Sequence, residues 1–238
     1  AFGDPGRAEI AAAGTLLDYL ALTQIDRMPR LARPTRLPPP GASGAVMEID
    51  AATRRSLELA QTQSGERKGS LLSVIDRTIT GAGARLLAER LAAPLTDVAV
   101  IEARLDGVEF LVEDAARRED MREQLRTAPD IERALSRLAL GRGGPRDLAA
   151  IRAGLEAAQI LREMLESIVA LPSTLVEARD GLGTHDELIG ELVRALAPEL
   201  PLAARDGGFI APGYADDLDA QRGLRDESRQ LIAGLQAN

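Results

Sequence analysis

Apolar residues recur three and four positions apart along most of this chain, and polar residues or prolines separate the runs. The clearest run consists of Val98, Ile101, Leu105, Val108 and Val112. Residues at this spacing share one face of a helix. An apolar face of this kind is normally buried against a neighbour, so the pattern predicts a packed helix here.

Small polar residues and prolines mark where this helix and its predecessors begin and end. Ser70 precedes a short apolar run that Asp76 interrupts. Thr80 precedes a helix that Pro94 ends, because proline cannot donate a backbone hydrogen bond inside a helix. Thr96 is then the predicted N-cap of the helix that carries the apolar run.

The same signals predict most of the remaining elements. Prolines and glycines predict a loop over residues 29–44, and VMEID over 46–50 predicts a short strand. Three glycines between 141 and 144 predict a turn that leads into a long helix from Pro145 to about Ser167. Further helices are predicted over residues 9–22, 51–62 after Asp50, 115–126 after Asp114, and 186–197 after Thr184.

Composition supports an all-α fold, a long-helix bundle with at most very short strands near 46–50 and 208–211. Ala, Leu, Arg and Glu dominate, and aromatic residues make up 2%, which is few for a sheet-rich protein. The 238 residues suffice for one large domain or two small ones. Without cysteine there is no disulfide and no thiolate metal site, which fits a cytoplasmic location.

Charge and hydropathy argue against two kinds of partner. The formal net charge is −8, whereas a module that grips DNA through its phosphates is normally basic. The apolar runs fall short of the ~18 residues of a membrane span, and no basic-then-apolar signal pattern opens the chain. We therefore expect neither tight DNA binding by this segment nor a membrane location.

Two groups of residues are candidates for a metal or catalytic site. Asp216, Asp217 and Asp219 could hold a divalent cation, but acidic residues in the first turn of a helix also compensate its dipole. His185 is the only histidine, so a zinc pair or a second-histidine triad is excluded. We predict a helix start for the aspartates and an exposed position for His185.

Two segments are candidates for an anion site. GRGGP at 141–145 lacks the spacing of a phosphate loop, and no Lys-Ser/Thr pair follows it. ERK at 66–68 precedes a helix N-terminus, but its mixed surroundings favour an exposed turn. The mixed charges around Arg117 and Arg118 predict a solvated face. We therefore expect no catalytic, cofactor or metal residues in this segment.

The stretch from 69 to 95, GSLLSVIDRTITGAGARLLAERLAAPL, resembles the segment that opens the lever, or core, domain of bacterial MutS mismatch-repair proteins. The matching positions are Asp76, Thr78, Thr80, Gly83, Arg85, Leu86, Leu87, Pro94 and Leu95. Ala82 and Arg90 depart from the family's usual Met and Trp, which removes apolar volume from the local packing.

Three further stretches resemble the same family in the same order. MEIDAATRRSLEL at 47–59 is similar to the helix that precedes the core segment. The other two supply Gly141, Pro145, Arg146 and Asp147, and then Gly207, Gly208 and Gly213. The resemblance implies a lever segment that ends within an arm running towards the DNA clamp.

The resemblance also implies what the parent protein does. It would bind mismatched duplex DNA as a homodimer through domains outside this segment, with ATP and Mg bound only in a distant ATPase domain. We divide this chain into an N-terminal helix and loop (1–45), a helical core (46–203) and an ascending helix (204–238). Two alternatives are a free-standing helical adaptor for a partner helix and a metal-dependent enzyme using the aspartates near 216.

Overall fold

The structure is a computed structural model that describes residues 6–24, 31 and 45–236. The predicted loop at 29–44 lies outside the described residues apart from Leu31. The described helices are α1 (Arg7–Thr23), α2 (Ala51–Ser56), α3 (Leu71–Ile75), α4 (Gly81–Ala92), α5 (Val98–Glu113), α6 (Ala115–Thr127), α7 (Ile131–Ala139), α8 (Pro145–Glu166), α9 (Ser173–Leu182), α10 (Asp186–Ala195) and α11 (Asp216–Gln236), with a 3-10 turn at Ala204–Asp206.

The prediction of an all-α fold is confirmed. Within the ranges just given, extended pairing is limited to two isolated antiparallel bridges, Val46 with Leu95 and Leu196 with Ile210. These bridges lie where the sequence predicted very short strands.

Helix α8 is the centre of the packing. It contacts α6 and α7, which precede it, and α9 and α10, which follow it. Its inner face buries Ala157, Leu161 and Leu165, the last only 3% exposed, while Leu148 and Ile151 are half-buried. The inner face of this helix therefore forms the core of the bundle.

A glycine lets α7 lie close against α8. A Cβ atom added to Gly154 would lie 2.6 Å from Cδ1 of Ile131 and 3.6 Å from Cγ of Pro129. Because the first distance is shorter than a non-bonded carbon–carbon contact, any side chain at residue 154 would force Ile131 or the helices to shift.

Most predicted helix starts are confirmed by their capping hydrogen bonds. The Thr80 hydroxyl accepts a bond from the Gly83 N–H at 3.0 Å, and the Ser70 hydroxyl accepts one from the Ser73 N–H at 3.3 Å. Each bond satisfies a backbone donor that has no partner inside the helix. The other confirmed caps are Asp50 and Asp114.

The prediction that Thr96 caps α5 is wrong. The cap is Asp97, whose carboxylate accepts a hydrogen bond from the Ala99 N–H at 3.0 Å. Thr96 instead donates its N–H and hydroxyl to the Ala45 carbonyl, at 3.0 and 3.1 Å. Its side chain closes the loop between residues 45 and 96 rather than starting a helix.

Three further boundaries differ from the predictions. Helix α2 ends at Ser56, and two residues later Glu58 has a φ of 49°, a left-handed conformation that no α-helix continues through. Helix α10 has His185 rather than Thr184 at its N-cap and ends at Ala195. Helix α9 was not predicted from the sequence.

The apolar stripe of α5 is exposed, which contradicts the prediction that it is buried. The exposed fractions of four of its side chains are between 57% and 65%, and Ile101 is half-buried. The four are Val98, Leu105, Val108 and Val112. The helix packs within this chain through a different face.

Candidate functional site

The first group of family-motif residues forms the turn between α3 and α4. The Asp76 carboxylate accepts hydrogen bonds from the Thr78 N–H and hydroxyl, at 3.1 and 2.6 Å, and pairs with Arg67 at 2.7 Å. The bond from the Thr78 hydroxyl is the largest cause that lowers the pKa of Asp76. These bonds hold the chain in position for Thr80 to cap α4.

Arg85 joins α4 to α7 across 45 residues of sequence. Its guanidinium donates to both oxygens of Asp130, at 2.8 and 3.0 Å, and to Glu132 at 2.7 Å. These hydrogen bonds lower the pKa of Asp130 and raise that of Arg85. Because Asp130 also accepts from the Arg133 N–H at the start of α7, the pair fixes this helix end against α4.

The Asp147 side chain fixes the turn before α8. The Asp147 carboxylate accepts a hydrogen bond from the Gly144 N–H at 2.8 Å and pairs with Arg137 of α7 at 3.1 Å. Pro145 occupies the first position of α8, as the sequence predicted, and it is buried. Arg146 is exposed.

The root of α11 is tied to the end of α10 by backbone hydrogen bonds. The Ala197 N–H donates to the Phe209 carbonyl at 2.9 Å, and the Ala211 N–H donates to the Ala195 carbonyl at 2.8 Å. Leu196, between these partners, is 5% exposed. The incoming segment therefore lies against the buried core before α11 begins.

Side chains extend this attachment into the first turns of α11. Arg222 donates to the Ile210 carbonyl at 2.9 Å and pairs with Asp219 at 2.8 Å. Asp219 also accepts from the Gly213 N–H at 2.6 Å, and this bond is the largest cause that lowers the pKa of Asp219. The first turns of the helix are therefore bonded back to the segment that precedes it.

One further contact crosses from this root to α10. The Tyr214 hydroxyl donates to the carboxylate of Glu191, which also pairs with Arg194. This contact raises the pKa of Tyr214 and lowers that of Glu191. We refer to Glu191, Ile210, Tyr214, Asp219 and Arg222 together as the α11 root.

The motif residues do not converge on one pocket but occupy separate joints between helices. Leu86 is exposed, Leu87 is half-buried, and the Pro94 carbonyl accepts a hydrogen bond from the Met47 N–H at 2.7 Å. The backbone φ is positive at four of the motif glycines, which favours residues without a Cβ atom. These are Gly141, Gly207, Gly208 and Gly213.

The residues that were candidates for a metal or anion site lie at a helix start, at an exposed position and in an ion pair. Asp216, Asp217 and Asp219 lie in the first turn of α11, as predicted. In the part of the chain that the structure describes, no three His, Cys, Asp or Glu residues are grouped to hold a metal ion. His185 is exposed beside a solvent-open pocket of about 150 Å³, and Arg67 of the ERK segment pairs with Asp76.

Two arginines that the sequence assigned to a solvated face instead join α5 to α6. The Arg118 guanidinium donates to the Leu111 carbonyl at 2.6 Å, and Arg117 lies 4.9 Å from the centre of the Phe110 ring. Both arginines are half-buried. A cation near the final carbonyls of a helix stabilises that end.

No helix in the described residues is long and apolar enough to cross a membrane.

Comparison with known proteins identifies the family. The family described as MutS domain III matches residues 52–238. The DNA mismatch repair protein MutS of Paracoccus denitrificans is 54% identical over 237 residues, which is 100% of this chain and 26% of that protein. The MutS proteins of Ruegeria pomeroyi and Rhizobium meliloti are 52% and 50% identical over 99% of this chain.

This chain spans about a quarter of the length of these curated relatives, 26% of the Ruegeria pomeroyi protein and 25% of the Rhizobium meliloti protein. The shared order of motifs, the helical fold and these identities agree with one another. The chain belongs to the MutS family of DNA mismatch repair proteins, and residues 52–238 correspond to MutS domain III.

Proposed function

We propose that this chain mechanically couples the DNA-binding and nucleotide-binding parts of a longer MutS protein. In this proposal, mismatched duplex DNA, ATP with Mg, and a second subunit are all bound by other parts of the polypeptide. The net charge of −8 supports this division, because tight phosphate contact favours a basic surface.

The observation that carries the proposal is the contrast between the root of α11 and the rest of that helix. The segment before α11 is fixed to the end of α10 by the backbone bridge and by Tyr214, and Arg222 bonds the first turns of α11 to Ile210 in that segment. Beyond it, Leu224, Leu231 and Leu235 are exposed. A helix that is held firmly at one end, and whose apolar side chains beyond that end are exposed among the described residues, suits a lever.

The length of α11 sets the size of the motion that it can transmit. Its 21 residues extend ~30 Å at a rise of ~1.5 Å per residue. A rotation of about 10° at the root would therefore move the far end by roughly 5 Å, which is large compared with the tolerance of a packed interface. The root would set the direction of α11 relative to α8, because α10 packs on α8.

The test uses the full-length parent protein with Tyr214→Phe and Arg222→Gln combined. These changes remove contacts from the root without touching DNA or nucleotide in our proposal. The matched control is Arg225→Gln, which removes an exposed ion pair with Asp226 further along α11. The measurement is mismatch affinity with and without ATP, after both variants are shown to be folded.

We expect the root variant to bind mismatched DNA and to hydrolyse ATP almost normally. The change in DNA affinity on adding ATP should fall, because it is a coupling free energy of typically ~1 to 3 kcal/mol that depends on the connection. The Arg225→Gln control should show the same change in DNA affinity on adding ATP as the unaltered protein. An unaltered ATP effect in the root variant would refute the lever role.

A further inference from the structure

Residues 45–96 form a unit whose two ends are bonded to each other. The Thr96 N–H and hydroxyl donate to the Ala45 carbonyl at 3.0 and 3.1 Å, and the Met47 N–H donates to the Pro94 carbonyl at 2.7 Å. The two ends therefore lie side by side, and one of them continues directly into α5. We refer to this part of the chain, which contains α2, α3 and α4, as the 45–96 unit.

Backbone hydrogen bonds also hold the interior of the 45–96 unit together. The Leu71 and Leu72 N–H groups at the start of α3 donate to the carbonyls of Glu58 and Leu59, at 3.0 and 2.9 Å. The Leu72 side chain is buried, with 6% of its surface exposed. Backbone bonds beside a buried side chain open less readily than exposed side-chain contacts do. The unit can therefore keep its own structure while its position changes.

Arg85 and Arg122 bond the 45–96 unit to the bundle, and both contacts are polar. The Arg85 guanidinium of α4 lies 2.8 Å from the carboxylate of Asp130 and 2.7 Å from that of Glu132. The Arg122 guanidinium of α6 donates to the Arg77 carbonyl at 3.3 Å. Among the described helices, the pairs in most extensive contact all lie within α5 to α10. Because ion pairs open to water hold a position more weakly than a packed core does, the unit is the loosely attached part.

A second pair of arginines acts in the opposite direction to Arg85. Partial burial, and then the nearby charge of Arg104 in α5, lower the pKa of Arg90 in α4, and Glu89 opposes this shift more weakly. Like charges repel, so this contact favours separation of α4 from α5. Arg85 and Arg90 are five residues apart, which places them on different sides of α4. The unit is therefore attracted to the bundle on one side and repelled on another.

We propose that the 45–96 unit turns as one body on the bundle, with the chain at residues 96–97 as the pivot and Arg85 as the latch. In the closed position, which the structure shows, Arg85 holds the carboxylates at the start of α7. When that pair breaks, the repulsion at Arg90 favours an open position. The chain then has a second moving part, whose position depends on Arg85 rather than on the α11 root.

Distances between spin labels test this motion in the full-length parent protein. The labels are attached through Lys68→Cys in the unit and Gln159→Cys in α8, both at exposed positions, after other reactive cysteines are replaced. An excess of unlabelled protein leaves only distances within one polypeptide. A reference pair, Gln159→Cys with Glu177→Cys, lies wholly within the bundle. Measurement without nucleotide or DNA keeps the result independent of the coupling role of α11.

The unaltered protein should give one dominant distance between residues 68 and 159. Arg85→Gln should raise the fraction at a second distance at least several-fold, while the reference pair stays the same. The matched control is Arg126→Gln, because Arg126 also pairs with two carboxylates, Glu119 and Glu123, but on its own helix. It is 44% exposed, against 39% for Arg85, and its loss should leave the 68–159 distance unchanged.

Two further measurements separate turning from unfolding. Hydrogen exchange at the Leu71 and Leu72 N–H groups should stay as slow in the Arg85→Gln variant as in the unaltered protein, because the unit moves intact. Adding Arg90→Gln to that variant should lower the fraction at the second distance at least twofold, because the repulsion is removed. Equal distance distributions in the Arg85→Gln and Arg126→Gln variants would overturn the latch. Faster exchange at Leu71 and Leu72 would overturn motion as one body, and an unchanged fraction after Arg90→Gln would overturn the role of the repulsion.

Discussion

The close crossing of α7 and α8 leads to a prediction about stability that opposes helix propensity. Gly154 lies in the interior of α8, where alanine is favoured over glycine by ~1 kcal/mol. The added Cβ atom would meet Ile131 at 2.6 Å, however, and overpacking of this kind costs about 1 to 3 kcal/mol. Gly154→Ala should therefore be neutral or destabilise the fold by up to ~2 kcal/mol.

Gly190 provides a matched control inside α10. A Cβ atom there would meet only the end of Arg194, at 3.8 Å, an ordinary contact. Gly190→Ala should therefore gain the same ~1 kcal/mol of propensity without the packing cost. Because the gain in helix propensity is the same in both variants, their free energies of unfolding should differ by the packing cost alone, about 1 to 3 kcal/mol.

Equilibrium unfolding in urea measures the difference, provided that the slope with denaturant stays the same. The third variant, Ile131→Ala, removes the atoms that the new Cβ atom would meet. In that background Gly154→Ala should become stabilising, with a coupling free energy of about 0.5 to 3 kcal/mol between the two sites. The reasoning fails if Gly154→Ala stabilises as much as Gly190→Ala does.

Three other changes follow from individual contacts. The hydrogen bond from Arg85 lowers the folded-state pKa of Asp130, so this group contributes stability above its unfolded pKa of about 4 and loses it as pH falls through the lower folded value. Asp130→Asn should therefore flatten the acid limb of a stability–pH curve, and an unchanged limb would count against the pair. Leu165→Ala should lower the free energy of unfolding by about 2 to 5 kcal/mol in chemical denaturation, because Leu165 is buried. Leu105→Ala in the isolated chain should change it by no more than about 0.5 kcal/mol, because Leu105 is exposed. Equal losses in the two variants would mean that the buried face is misassigned. Gly213→Ala, at a φ of 80°, should cost about 1 kcal/mol or more in the same assay, and a neutral result would show that the turn relaxes.

Helix starts were predictable from the sequence where one capping side chain binds a backbone N–H a few residues ahead. Ser70, Thr80 and Asp114 each bind a backbone N–H three residues ahead, so a short stretch of sequence holds all the information. Helix α9 was missed for the opposite reason. Pro172 at its N-cap makes no side-chain hydrogen bond, and α9 is held by its packing on α5 and α8.

For the side-chain contacts between helices, the sequence indicated one partner but not the other. The resemblance pointed to Arg85, but its partner Asp130 lies 45 residues away, and no local pattern connects them. The same applies to Tyr214 and Glu191 in the α11 root, which are 23 residues apart. Clustered arginine–carboxylate pairs within a helix are common, so charge spacing alone does not distinguish a long-range pair.

The apolar stripe of α5, from Val98 to Val112, shows what periodicity can and cannot determine. The spacing correctly placed five apolar residues on one face of a helix. It could not say what lies against that face, because within the described chain α5 packs through Ala103 and Gly107 instead. Small residues at a close helix contact add little to the apolar pattern of a sequence. The face of α5 that packs therefore has a weaker apolar pattern than the face that is exposed.

The central place of α8 has a consequence for the order in which this protein is made. Helices α5 and α6 leave the ribosome before their packing partners, which are α9 for α5 and α8 for α6. At a synthesis rate of about 5 to 20 residues per second, the ~70 residues between the end of α5 and the end of α9 take roughly 4 to 14 s. During that interval both apolar faces of α5 are open to water and to chaperones. The nascent chain is therefore most exposed to misassembly before α9 emerges.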